Sequence, residues 1–224
     1  MKKNIVKRIL FVGLIFFSTC TGAFAQKTGL SLHVGGAFPT GEFMTPALNL
    51  QHSAVETGNL STGLSVGLRL NIKLPLGFNV FAHGDFIWNA YDKETKALFN
   101  AENRSVPQYY NVPLFVGARY HLSLLKIVGI YGEVGLGADI LMKTKEEWGD
   151  NLIKYNNSTS FASEYGFGVT LFNRIQVGAH YYLLGNHTIS VNHDKSSATL
   201  LPSVTPPDHD MKVGMWILKL AVNL

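Results

Sequence analysis

The sequence predicts an all-β fold: an eight-stranded antiparallel up-and-down transmembrane β-barrel over residues 26–224, preceded by a cleaved signal peptide over residues 1–25. Three observations predict it. Apolar and polar residues alternate with period two through most of the chain, a pattern that only a strand converts into two faces. The segments that alternate are joined by short and long connections in turn, as in membrane barrels. The polar face of these segments is rich in glycine and carries balanced charge, which suits a narrow lumen better than a solvated surface.

The first element is the export signal. The chain has 224 residues with 19 Lys+Arg and 15 Asp+Glu, a formal net charge of +4. Lys2, Lys3, Lys7 and Arg8 supply that excess, Ile9 to Phe17 is an unbroken apolar run, and Ala23-Phe24-Ala25 is a small-x-small cleavage site. A basic start, a short apolar stretch and a small-residue site describe a secretory signal rather than a membrane helix. Cleavage after Ala25 makes Gln26 the first mature residue. Cys20 invites a lipoprotein reading, but Phe17-Ser18-Thr19 is a poor lipobox. The mature chain then lacks cysteine, which excludes a disulfide scaffold. It holds 15 basic and 15 acidic residues, and the nucleic-acid reading of a basic chain falls with the signal.

The strands follow in order. Leu30, Leu32, Val34 and Phe38 mark the first. Leu60 to Leu74 is the clearest: seven of eight positions on one face are apolar, and none of Ser61, Gly63, Ser65, Gly67, Arg69, Asn71 and Lys73 on the other is. Phe78 to Trp88 is the third, Val112 to Leu122 the fourth and Val128 to Ile140 the fifth. Phe161 to Leu171, Ile175 to Leu183 and Trp216 to Leu224 complete eight. Pro113 cannot donate to a ladder, so a bulge or local break is expected there. The tight connections are Pro75–Gly77, Ser123–Lys126 and Asn173–Arg174. The long ones run roughly over 39–58, 91–108, 143–159 and 185–210. Within the second of these, Asp92 to Arg104 suits a helical turn or two with no clear cap.

A soluble lipocalin-like barrel has an apolar interior and a polar surface. This chain argues for the inverse. Gly35, Gly63, Gly67, Gly117, Gly129, Gly135, Gly137, Gly166, Gly168 and Gly178 share the polar face and leave room for Phe81, Phe115, Tyr131, Phe172 and Tyr182. Trp88, Tyr120, Tyr165, Tyr181 and Trp216 lie on the apolar face, as candidates for the lipid interface. The polar face sets Arg69, Lys73, Arg119 and Lys219 against Asp85, Glu133, Asp139 and Glu164, and buried charges must be paired.

Tyr109-Tyr110-Asn111-Val112-Pro113-Leu114-Phe115-Val116-Gly117 resembles the (I/V)-P-L motif of the PorT-like outer-membrane β-barrel proteins of Bacteroidetes, and Leu218 to Leu224 is similar to their last strand. The architecture also resembles the small OmpA/OmpX-type barrels. One departure is the final Leu224, where such strands often end in an aromatic residue. The resemblance implies an outer-membrane location and a barrel fold more than an activity.

Candidate chemistry is sparse. His121-Leu122-Ser123, with Glu133 beyond, has the composition of outer-membrane lipid A-modifying barrels, but the meander puts the pair at the periplasmic end, away from lipid A. It reads as a turn histidine and a turn serine. His33, His83, His121 and His180 face the polar side; His83 and His180 converging with Asp85 or Glu164 would offer metal ligands, against the plainer role of hydrogen-bonded lumen residues. His187, His193, Asp194, Asp208, His209 and Asp210 crowd the last long loop without the spacing of a known site. Trp148, Tyr155 and Phe99 read as exposed loop residues. No cofactor, metal or catalytic residue is assigned.

The expected function is that of a monomeric outer-membrane protein whose polar, charged lumen is plugged, because eight strands leave an interior just wide enough for side chains. It acts as a structural or interaction scaffold through its extracellular loops. The alternatives are a membrane enzyme acting on lipid and a narrow ion or solute channel. The expected partners are outer-membrane lipids, the barrel assembly machinery and an envelope or host partner at the loops, without nucleic acid.

Overall fold

The computed structural model of the protein describes residues 28–44, 60–101, 103–125, 127–148, 151–172, 174–192 and 208–224. The signal segment with Cys20, and His193 and Asp194, lie outside the described residues. Eight strands close into one antiparallel barrel: β1 (Thr28–Thr40), β2 (Gly63–Lys73), β3 (Phe78–Asn89), β4 (Tyr109–Ser123), β5 (Val128–Lys143), β8 (Ser158–Leu171), β9 (Ile175–Ile189) and β10 (His209–Asn223). A small hairpin, β6 (Glu146–Trp148) and β7 (Asn151–Ile153), stands between β5 and β8. Each barrel strand pairs with its neighbour in sequence, and β1 pairs with β10 to close the ring. Closure leaves no open edge in hydrocarbon, where unpaired backbone groups are costly.

Side-chain alternation sorts the two faces. On β2, Leu64, Val66, Leu68 and Leu70 are exposed, whereas Ser65, Arg69 and Asn71 are buried. The same exterior band continues with Leu30, Val80, Leu114, Val116, Leu136 and Val177 around the barrel. So continuous an apolar exterior is far beyond what a water-facing surface carries; it is the lipid belt of a transmembrane barrel.

Toward the long-loop end the arrangement inverts. Met211, Val213, Met215 and Ile217 of β10 point inward and are buried, while Asp210 and Lys212 face out. With Tyr109, Leu141, Leu184, Ile189, Tyr91 and Leu60 they form an apolar core inside the upper barrel. Phe43, in the short 3-10 turn Gly41–Phe43, and Phe99, on helix α1 (Lys93–Ala101), join it from the loops. The barrel therefore has an inside-out lower part and a conventional upper part that needs no lipid.

Several expectations change. Leu60, expected on the lipid face of the second strand, is buried in this core and bridges to Tyr91. Phe99 is fully buried and Tyr155 packs partly buried against the core, so neither is an exposed loop residue. Helix α1 does have a cap: Thr95 donates from its backbone N–H (2.6 Å) and its hydroxyl (3.1 Å) to the Asp92 carboxylate. The β9 strand runs to Ile189 rather than Leu183. Its register against β10 shifts between Val213 and Gly214, leaving Leu184 as the extra residue, and Gly185 takes a positive φ of 84°. That bulge flips the inward positions from even to odd numbers, so the alternation breaks there. At Pro113 the expected local break is present, without a bulge. Register on both sides is unshifted, and only the β3 ladder is interrupted, between Gly84–Leu114 and Ile87–Asn111. Phe172, expected inside the barrel, is exposed in the β8–β9 turn with φ 53°.

Candidate functional site

The lower lumen holds the charged residues. Arg69 comes from β2, Asp85 and His83 from β3, and Arg119 from β4. Glu133 comes from β5, Glu164 from β8, His180 from β9 and Lys219 from β10. Each is no more than 5% exposed. Arg69 Nη2 donates to Glu133 Oε1 at 2.8 Å and Arg119 Nε to Glu133 Oε2 at 2.5 Å, while Arg119 Nη1 reaches Gln176 at 2.7 Å. Lys219 Nζ lies 3.2 Å from Asp85 Oδ2, and the Tyr182 hydroxyl donates to the same oxygen at 2.5 Å. His83 Nε2 donates to Glu164 Oε1 at 2.8 Å, and His33 Nε2 donates to Asp85 Oδ1. Three cations face three carboxylates, and the histidines join them into one network.

Aromatic rings floor the cations. Arg69 lies 3.9 Å from the Phe81 ring centre and Arg119 3.9 Å from that of Tyr131. A guanidinium over a ring face is attracted by the ring quadrupole, most strongly where water is excluded.

Glycine makes the network possible. In register, His33 pairs with Gly67 and Gly67 with Asp85, so one row across β1, β2 and β3 has glycine at its centre. Glu133, Gly166 and His180 form the same kind of row across β5, β8 and β9. A Cβ at Gly166 would sit 2.7 Å from His180 Cε1 and 3.0 Å from Glu133 Cγ; one at Gly67 would collide with Asp85 and His33. Flanking side chains reach each other only because the middle strand offers none.

Seven of the eight predicted lumen charges are buried, and six belong to this network. Asp139, the seventh, stands apart: it accepts from Asn111 Nδ2 at 2.6 Å and lies 3.1 Å from His187 Nε2. Lys73 departs from the expectation. It shares the inward parity of Arg69 but is exposed at the turn end of β2. The upper lumen is mostly apolar, with Asp139 and His187 as a buried polar pair inside it, a second departure. Tyr182, Tyr131 and Gln176 are network members that the sequence reading did not single out as such. Their only signal was a polar tip on the inward face of a strand.

The remaining candidates separate. His121 and Ser123 sit beside the short turn after β4, while Glu133 is held by Arg69, Arg119 and His180 instead. His187 points into the barrel onto Asp139, away from the loop residues it was grouped with. Trp88, Tyr120, Tyr165 and Trp216 are exposed and Tyr181 is half-buried. Trp88 and Tyr120 lie near strand ends, as an interfacial girdle requires. Tyr165, Tyr181 and Trp216 form a row with Phe38, each the register partner of the next, at the level where the outward face of β10 turns from apolar to polar.

The loops are tied together. Glu146 accepts from Arg104 Nε at 2.7 Å and from the Tyr155 hydroxyl at 2.9 Å, joining the β3–β4 loop to the β6–β7 segment. Burial pushes the Tyr155 hydroxyl up to about 12, with the Lys143 ammonium opposing and the Glu146 carboxylate reinforcing the shift.

Comparison with known proteins is consistent with this geometry. No family model and no curated protein matches the chain. Among solved structures, the chain resembles Neisserial surface protein A (NspA), at 11% identity over 88% of this chain and 96% of that one, with a TM-score of 0.54. It also matches OprG of Pseudomonas aeruginosa (12% identity, 89% and 97% covered, TM-score 0.47) and Ail of Yersinia pestis (12% identity, 88% and 97% covered, TM-score 0.43). The likeness to NspA is one of fold, and it is the fold of a closed outer-membrane β-barrel.

Proposed function

We propose that this chain is a monomeric outer-membrane protein with a closed lumen, acting as a structural or interaction scaffold through its outer loops. The observation that carries the reading is the lower lumen itself. Arg69, Arg119, Lys219, Asp85, Glu133 and Glu164 are paired, at most 5% exposed, and overlaid by the apolar upper core. A path for ions would have to break several buried pairs at once, each held in low dielectric. Planar-bilayer recording tests this directly: the closed lumen predicts a silent membrane, and steady nanosiemens-scale steps refute it.

The location rests on the lipid belt and on the signal-like residues 1–25, with cleavage after Ala25. Its partners are then outer-membrane lipids and the barrel assembly machinery. Membrane fractionation with a boiled–unboiled gel shift checks this, and recovery in the soluble fraction counts against it. The PorT-like resemblance of Tyr109 to Gly117 and of the last strand supports placement in that family. The loops are the surface left for an envelope or host partner, and loop shaving on intact cells with an attachment assay tests it. Unchanged attachment after loop loss removes the adhesin version of the scaffold.

A further inference from the structure

The short turns of the barrel carry large apolar side chains at their tips. Leu76 is 86% exposed in the Pro75–Gly77 turn, Leu124, Leu125 and Ile127 are exposed after β4, and Phe172 is exposed after β8. Leu76 and Phe172 also hold positive φ, 62° and 53°, a conformation that bulky side chains rarely adopt. In water, both the backbone and the exposure favour a small polar residue at such a position; this chain keeps leucine and phenylalanine. The charges of this end are of one sign. Residues 73–79, 120–129 and 171–176 contain no Asp or Glu. Lys73 on β2 and Arg174 before β9 are exposed on separate arcs of the rim, and neither has an ion-pair partner among the described residues. The apolar belt runs onto this rim without a gap. Phe78 and Tyr120 are exposed register partners with ring centres 5.0 Å apart, and Leu122, Ile130, Ile175 and Val222 are exposed around the same end.

We propose that this rim docks on the inner leaflet, its apolar tips seated among the headgroups and Lys73 and Arg174 binding the phosphates of anionic phospholipids. The proposal rests on the membrane-barrel reading above, since short turns of such barrels face the periplasm. Two observations select this occupant over a periplasmic protein: the rim continues the lipid belt, and its cations complement an anionic leaflet. Leucine and phenylalanine gain by leaving water. A lysine or arginine stem lies along apolar surface while its charged head stays at the interface. Each basic side chain at an anionic surface is worth about fivefold in binding.

Residues 26–224 contain no cysteine, so a single label can report depth. The barrel is refolded into phosphatidylcholine vesicles with and without phosphatidylglycerol, and folding of every variant is verified by the boiled–unboiled gel shift. A fluorophore on Leu76→Cys or Phe172→Cys should be quenched by nitroxides on lipid headgroups and shallow acyl positions, and one on Lys96→Cys of helix α1 by neither. Spin-labelled phosphatidylglycerol should be held at the barrel about two- to fivefold more than phosphatidylcholine. Lys73→Gln with Arg174→Gln should bring that ratio to about 1, and Lys212→Gln at the long-loop end should leave it unchanged. Tips reached by an aqueous quencher and not by lipid nitroxides overturn the proposal and leave the rim to a periplasmic protein. So does a ratio near unity in the unaltered protein, or an equal fall in Lys212→Gln. A chain that fails to insert refutes the membrane reading and the proposal with it, whereas insertion without lipid selection refutes the proposal alone.

Discussion

Replacing Glu133 by Gln removes one buried charge while keeping the volume of the side chain. Its two oxygens accept from Arg69 at 2.8 Å and Arg119 at 2.5 Å, and His180 Nδ1 stands 3.0 Å away. An amide keeps one accepting oxygen and turns an NH2 toward a guanidinium. Arg69 is then left with Glu164 at 4.0 Å, and Arg119 with the uncharged Gln176. Both guanidiniums are 5% exposed, so water does not replace the lost carboxylate. Breaking a buried pair in this way costs about 3–5 kcal/mol, and about 4 kcal/mol lowers the folded-to-unfolded ratio roughly a thousandfold. Urea unfolding in micelles, followed by tryptophan fluorescence, reads it as a lower midpoint at unchanged slope. The exposed Lys145–Glu147 pair (2.6 Å, with 59% and 53% of the side chains exposed) is the control, and Glu147→Gln should cost less than about 1 kcal/mol. Adding Arg119→Met to Glu133→Gln should restore part of the loss, giving a coupling of about 0.5–3 kcal/mol. A loss below about 1 kcal/mol for Glu133→Gln, or strict additivity in the double variant, refutes the claim that these charges hold the lumen together.

Gly168→Ala should cost about 1–3 kcal/mol by overpacking, because its Cβ collides with the Val177 carbonyl oxygen and falls 2.6 Å from Tyr131 Cζ; Tyr131→Leu in the same protein should recover only the side-chain share of the loss in urea unfolding. Asp92→Ala removes the cap of α1 and should cost that helix about 1 kcal/mol, seen as faster proteolysis in the β3–β4 loop with the barrel midpoint unmoved. For Tyr155, raised to about 12 from an ordinary 10.0, the folded loops bind the proton longer than the unfolded chain. Its stabilisation is full below pH 10 and is lost as pH rises from 10 to 12. Tyr155→Phe should remove that late phenolate from an absorbance titration and flatten the alkaline loss of protease resistance.

Much of the barrel was legible because lipid enforces a strict rule. A strand with hydrocarbon outside cannot place a polar residue there, so Leu64, Val66, Leu68 and Leu70 alternate without exception. Where the lipid ends the rule ends. Above it, Met211 and Val213 take the inside and Asp210 and Lys212 the outside, which reverses the pattern on one continuous strand. Read by period alone, this strand began at Trp216, where the two regimes meet. On β9 the bulge at Leu184 changes parity and hides the last turns of alternation in the same way. Lys73 shows the other blind spot. Period two gives its face correctly but says nothing about height, and a residue at the end of a strand meets solvent on either face.

Which lumen residues meet is a question of register, and register is not written in any one strand. His33, Gly67 and Asp85 come from three strands joined by a long loop and a tight turn, and nothing in their own neighbourhoods marks them as a row. Adjacent strands are about 4.8 Å apart, so residues two strands apart are separated by nearly 10 Å at the backbone. Side chains close that distance only where the strand between them contributes nothing. The inward glycines therefore do more than relieve crowding: each central glycine decides which pair of charged residues on its two sides becomes a contact. Two such rows, centred on Gly67 and Gly166, bring a histidine to a carboxylate on opposite arcs of the barrel, and His83 links one to Glu164 beside the other. The charge network is thus specified as much by where the sequence omits a side chain as by where it places one.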